Sequence, residues 1–166
     1  MNKLKTILRP IYHSFKRAMK LQRRWGLKNR DFTIISNNCT AGYVYQYYGL
    51  PYNTPTAGLF FEASDFVKLM KHPEKYFKNA KLVFIDPTES SHYQLVKDLP
   101  DYGAYPVAKL DDIEIFFQHY PLKEEAESKW YRRSSRINYN NIFFLFSENE
   151  SGSTEIAGGE KEIQLS

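Results

Sequence analysis

Between residues 31 and 146 short apolar runs alternate with segments of helical spacing, and that alternation leaves few folds open. Residues 31–36 (DFTIIS) read as a buried, β-branched strand. Asn37 or Asn38 can cap a helix over 39–48 that ends at Gly49. Residues 50–56 hold two prolines and form a loop, and 58–61 (GLFF) read as a short strand. Ser64 is expected to cap a helix carrying Phe66, Leu69 and Met70, with a further helical turn or two over 73–78. Residues 81–85 (KLVFI) read as a second buried strand, 92–98 as an ambiguous helix, and 104–110 and 114–118 as strands around an Asp111-Asp112 turn. Pro121 opens a helix through about 136, and 141–146 (NIFFLF) is a last strand. The pattern predicts an α/β domain with a mixed or mostly parallel sheet flanked by helices, in Rossmann-like layers. In such sheets ligands sit beyond the carboxyl ends of strands.

The chain has 166 residues, of which 16% are aromatic, enough for one core and too many for a wholly disordered chain. A single cysteine excludes a disulfide scaffold and a multi-cysteine metal centre. His13, His72, His92 and His119 show no metal-ligand spacing, so no metal site is expected. No apolar run approaches a membrane span and no signal-peptide pattern is present, which sets the expected compartment as the cytoplasm.

Charge divides the chain into three zones. Residues 1–30 hold ten Lys or Arg and no acid; residues 31–147 are near neutral; residues 148–166 hold five Glu and one Lys. The expected organisation is a basic amphipathic arm over 1–30, an α/β domain over 31–146, and an acidic tail over 147–166. In the arm, Pro10 suits a first helical turn, Ile11, Phe15 and Met19 form a stripe, and Gly26 suits the residue after the helix. Three readings of this helix stand open: packing on the body, contact of residues 1–25 with anionic lipid at the inner face of the membrane, or contact with nucleic acid. The tail is rich in Ser, Gly and Glu and lacks an apolar period, so disorder is expected.

Four constellations could carry chemistry. Ser36-Asn37-Asn38-Cys39 falls at a strand-to-helix turn, where free N–H groups and the helix dipole suit an anion and favour a thiolate. Cys39 is thus a candidate nucleophile, with Ser36, Asn37 and Asn38 as substrate contacts; the plain alternative is a small buried cysteine beside an Asn cap. Five tyrosines between Tyr43 and Tyr52 could line a sugar or nucleotide site. The alternative has Tyr43 and Tyr47 packed inward.

The third constellation runs from His119 to Asn138. His119, just past a strand, is the best-placed acid or base. Arg132 and Arg136 share a helix face that could grip phosphate or carboxylate, with Lys129, Arg133 and Asn138 nearby; the glutamates before and arginines after also simply suit a helix dipole. The fourth, Asp111-Asp112 with Glu114, could hold a divalent ion, or form a turn. No G-x-G-x-x-G or Walker loop specifies a cofactor.

The stretches SNNC…GLPYNTPTAGLF and HYPLKEEAESKWYRRSSRIN, with SDFVKLM between them, resemble the bacterial domain of unknown function 1919. The resemblance covers about residues 30–146. Members often carry the label of exopolysaccharide or capsule biosynthesis, and some that of an acetyltransferase. It implies interest in Ser36, Asn37, Asn38, Cys39, Tyr52, Asp65, Asp112, His119, Tyr120, Glu125, Lys129, Trp130, Arg132, Arg133, Arg136 and Asn138. The resemblance does not extend into the tail, and with the abrupt stop after the last strand this suggests a truncated or frameshifted member. The leading expectation is a surface-polysaccharide protein acting on a sugar or a nucleotide- or lipid-linked sugar as a glycosyl- or acyltransferase. A non-catalytic module of the same pathway is the second reading. An RNA-binding domain is the third; the near-neutral body and the lack of an aromatic RNA-binding motif argue against a nucleic-acid partner.

Overall fold

A computed structural model describes residues 3–99 and 101–147; the expected disorder of the tail lies outside the described residues. The chain starts with α1 (Lys3–Trp25). Pro10 lies inside this helix and does not open it. The Leu, Lys and Arg around it are good helix formers and carry the helix past the one bond that proline cannot donate.

Strand β1 (Thr33–Ser36) is buried throughout, as expected. It leads into α2 (Thr40–Tyr48), which Gly49 closes at a left-handed φ of 63°. Tyr45, fully buried, ties α2 to β1: its hydroxyl accepts from the Ile34 N–H and donates to the Phe32 carbonyl. Burial pushes that hydroxyl's pKa up to about 12. Tyr43 and Tyr47 point outward, at 63% and 53% exposed, which excludes the alternative reading in which these two pack inward.

Helix α3 (Ala63–Lys71) is capped by Glu62 and not by Ser64. The extended backbone at Glu62 brings its carboxylate back to accept from the Ser64 N–H at 2.7 Å. A π-helical turn (Lys75–Asn79) follows, then β2 (Leu82–Ile85), a 3₁₀ turn (Pro87–Glu89) and α4 (Tyr93–Val96). Strands β3 (Val107–Leu110) and β4 (Ile113–Phe116) form a hairpin whose two-residue turn is Asp111-Asp112, with Asp111 at a φ of 60°. Helix α5 (Lys123–Ser134) and β5 (Ile142–Leu145) complete the fold.

The α/β architecture holds two small sheets. Strands β1 and β5 pair in parallel, and β2, β3 and β4 form an antiparallel sheet in that order. The GLFF segment is reduced to one bridge, yet it joins the sheets. Phe60 exchanges both backbone hydrogen bonds with Phe116 of β4, and the Phe61 N–H donates to the Asn37 carbonyl just past β1. The largest core cluster lies along this seam, with Ile35, Phe61, Phe66, Leu110 and Trp130 among its members.

The outer strands are exposed on one side. Val83 in β2 is 59% exposed, so this strand is an edge covered on one face only and not the buried strand expected. Phe143 in β5 is 46% exposed.

Candidate functional site

Beyond the carboxyl ends of β1 and β4 lies a cleft of about 270 Å³. Four elements build it. The turn after β1 delivers Cys39 to the start of α2, which adds Gly42, Tyr43 and Gln46; the segment after β4 delivers His119 and Tyr120; the 52–58 loop supplies Tyr52, Ala57 and Gly58; α5 supplies Lys129 and Arg133.

The turn before α2 is held by its own side chains. The Ser36 hydroxyl donates to the Asn38 carbonyl and accepts from the Ala41 N–H at 3.0 Å. The Asn38 side-chain oxygen accepts from the Thr40 N–H at 2.9 Å. Asn37 is buried and reaches the other way: its amide donates to the Ser147 carbonyl and accepts from the Ser147 N–H. These three residues, expected as substrate contacts, are spent on backbone. Their satisfied polar groups fix the one residue of the turn that lines the cleft, Cys39.

Cys39 Sγ lies 3.1 Å from His119 Nε2. They are 80 positions apart in the chain. His119 is exposed to the cleft mouth and Cys39 half-buried. The His119 N–H donates to the Gly58 carbonyl at 3.2 Å. Gly58 has a φ of 82°, and a Cβ there would lie 3.3 Å from both His119 Cβ and the Tyr120 ring. A glycine is required by backbone and by space together. Gly42 lets α2 approach the same loop closely, since a Cβ there would come 3.3 Å from Ala57 Cβ.

Arg133 is buried and forms the back wall. Its guanidinium donates to the Ala57 carbonyl at 3.0 Å and to the Tyr120 hydroxyl, and lies 4.6 Å from the centre of the Tyr52 ring. Tyr120 donates in turn to the Ala57 carbonyl at 2.7 Å. Burial raises the Tyr120 pKa, with Arg133 acting against it. Tyr52 also accepts from the Gln46 amide at 2.9 Å. Lys129 pairs with Glu125, the i, i+4 pair that the helix spacing suggests, and lies 5.1 Å from the centre of the Tyr120 ring.

Cys39, His119, Tyr52, Lys129 and Arg133 are thus brought together, whereas Arg132 and Arg136 are exposed and outside the cleft lining. The face that meets the cleft is 129/133, one step out of phase with the expected 132/136, because Ala126 and Trp130 set the buried stripe of α5. Asn138 is also remote: its side chain holds Asp31 and the Asn140 N–H in a turn. Sequence reasoning missed Gln46, Ala57 and Gly58; of these only Gly58, a lone glycine before an apolar run, left a signal.

A separate polar cluster lies under β4. Asp65 accepts from the Glu114 N–H and pairs with His92 at 2.8 Å, while the Glu114 carboxylate takes Ser90 and Ser91 hydroxyls and the Ser91 N–H. Burial opposes ionisation of Glu114, but these hydrogen bonds and His92 outweigh it and hold its pKa below the ordinary range. Asp112 is tied to Lys75 and Tyr76, which lower its pKa to about 2. Among the described residues no group of three or more His, Cys, Asp or Glu is arranged to hold a metal ion.

The family model described as Domain of unknown function (DUF1919) matches residues 11–159. The chain belongs to the DUF1919 family. The match begins inside the basic arm and runs into the acidic tail, wider than the resemblance read from the body alone. A DUF1919 chain of this kind is also similar to a protein of Haemophilus influenzae (strain ATCC 51907 / DSM 11121 / KW20 / Rd) described as uncharacterized, at 34% identity over 145 residues. That alignment covers 87% of this chain and 59% of the relative, so the chain spans well under two thirds of the relative's length.

Proposed function

We propose that the chain acts in acyl transfer through a thioester on Cys39, with His119 moving the proton. The observation that carries this reading is the 3.1 Å approach of Cys39 Sγ to His119 Nε2 inside the cleft. A helix N-terminus and an adjacent imidazole both favour the thiolate. His119 Nε2 takes the thiol proton, and the thiolate attacks the carbonyl carbon of an acyl donor. The bond to the donor's leaving group breaks, and that group leaves with the proton from His119. An acceptor hydroxyl then gives its proton to His119 while its oxygen forms the new ester bond and displaces Sγ, which recovers the proton. Arg133, held in the back wall, makes the cleft's potential positive where the oxyanion would develop. Among the described residues no carboxylate lines the cleft, so acyl transfer suits it better than glycosyl transfer by paired carboxylates.

The walls formed by Tyr43, Gln46 and Tyr52 suit a sugar acceptor, since each ring pairs an apolar face with a polar tip. The setting in surface-polysaccharide assembly rests on the labels carried by the family that the sequence resembles. Contact of α1 with anionic lipid belongs to the same proposal. Phe15 and Trp25 are 62% and 84% exposed on this basic helix and are free to enter a lipid surface. No helix among the described residues is long and apolar enough to cross a membrane. Sedimentation with anionic but not neutral vesicles is the expected result; no difference between them would remove this part.

The decisive experiment for the pair is alkylation of Cys39 by iodoacetamide across pH, followed by intact mass. At pH 7 the wild type should react faster than an ordinary free thiol such as glutathione. His119→Ala should slow the reaction at pH 7 by about tenfold. An equal rate in His119→Ala overturns the nucleophile–base pair.

A further inference from the structure

We propose that the groove between α1 and α2 is a diphosphate site continuous with the Cys39–His119 cleft. This deepens the acyl-transfer reading by giving its substrate class: a molecule whose reacting end lies at Cys39 and whose diphosphate lies against α1.

The groove, of about 520 Å³, is lined by Lys16, Lys20 and Arg23 from α1 and by Tyr43, Gln46 and Tyr47 from α2. Tyr43 and Gln46 also line the cleft, so the two spaces share a wall. No carboxylate lines the groove, and none lies within ion-pair distance of Lys16, Lys20 or Arg23 among the described residues. Three cations with no carboxylate beside them, of which only Arg23 is partly met by a carbonyl of α2, attract an anion from solution.

Their placement is set by the fold. Arg23 donates to the Tyr47 carbonyl at 3.2 Å and stacks 4.0 Å from the Tyr47 ring centre, which holds the guanidinium plane while leaving further N–H donors. Lys20 crosses Gly49 so closely that a Cβ there would come 2.6 Å from Lys20 Cδ. From Lys16 to Arg23 the helix rises roughly 10 Å. Three cationic heads on long stems over that length match the charge of two linked phosphates better than that of one. Tyr43 offers a ring toward the part of the ligand that joins the diphosphate to the reacting end.

Nucleotide-linked and lipid-linked substrates share this chemistry. The test is calorimetric titration of the full chain at low salt with inorganic phosphate, inorganic pyrophosphate, UDP and farnesyl diphosphate. Pyrophosphate should bind at least tenfold tighter than phosphate, and the K16E/K20E variant should bind it at least tenfold more weakly. Tighter binding of UDP than of pyrophosphate identifies a nucleotide-linked source; tighter binding of farnesyl diphosphate identifies a lipid-linked one; equal binding of all three shows that the diphosphate alone is recognised. A thermal melt checks that K16E/K20E is folded, and Lys16→Gln, at an exposed position, serves in its place if it is not. Absence of saturable pyrophosphate binding, no preference over phosphate, or unchanged binding in the charge variants overturns the proposal. Cys39→Ser should bind pyrophosphate as the wild type does, so a failure of the thiol chemistry and a failure of this site are read separately.

Discussion

Cys39 is the only thiol in the chain, so a thiol reagent reports on the cleft and nothing else. Several residues around it hold the cleft in shape. Gly58 holds: its positive φ strains any other residue, and at 3.3 Å from His119 and Tyr120 a methyl group would press both aside by a few tenths of an ångström. Gly58→Ala should cost about 1–2 kcal/mol in a denaturant melt from backbone strain, and should slow Cys39 alkylation by displacing His119. A melt within error of wild type would refute this account of Gly58. Arg133 also holds. Arg133→Met removes the donor to Ala57 and Tyr120, and a loss of about 1–3 kcal/mol is expected in the same melt. At this scale the sequence was half legible. Cys39 and His119 could each be picked out by their places at strand ends, but not as a pair, because nothing local encodes a contact across 80 positions. The asparagines of the 36–39 turn carry the same chemistry whether they face a ligand or a backbone group, and only burial separates the two.

Helix ends decide much of the element-level structure. The last carbonyls of α2 have no partners within their own helix. Arg24 donates to the Tyr48 carbonyl at 2.7 Å and to the Gly49 carbonyl, and Arg23 donates to Tyr47. Part of the basic arm is therefore a C-terminal cap for a neighbour, with cations placed where the helix dipole is negative. Arg24→Ala should raise amide exchange at the C-terminal turn of α2 and in the second half of α1, measured by mass spectrometry; protection unchanged in both would show that α1 is anchored by other means. The packing of this arm on the body was one of three readings open from sequence. Its amphipathic period was visible, but not the helix it would cap. Nor could period alone show that Phe15 stays outside while Met19 enters the groove. The strands were legible in place and type because β-branched and aromatic runs bounded by turn residues leave few alternatives. Which strands are covered on both faces was not, since β1 and β2 read alike and differ only in what packs on them.

For the molecule as a whole, the carboxylates set the acid limit. Glu114 and Asp112 both ionise more readily folded than unfolded, so the stability they contribute is complete above their ordinary values of 4.5 and 3.8. It is lost as pH falls from there toward about 2. Thermal melts should show a falling midpoint below pH 4.5, and Glu114→Gln should flatten the upper part of that fall. A midpoint independent of pH through this window would contradict the assignment. The seam at residues 59–61 has a different consequence. Each sheet carries one half of the sulfur–imidazole contact, Cys39 beyond β1 and His119 beyond β4, and the backbone bonds of Phe60 and Phe61 stitch the two plates together. The gap between sulfur and nitrogen is therefore a gauge of that stitching. Loosening the seam should disarm the thiol while each plate keeps its own pairing, so reactivity fails at a gentler perturbation than secondary structure does.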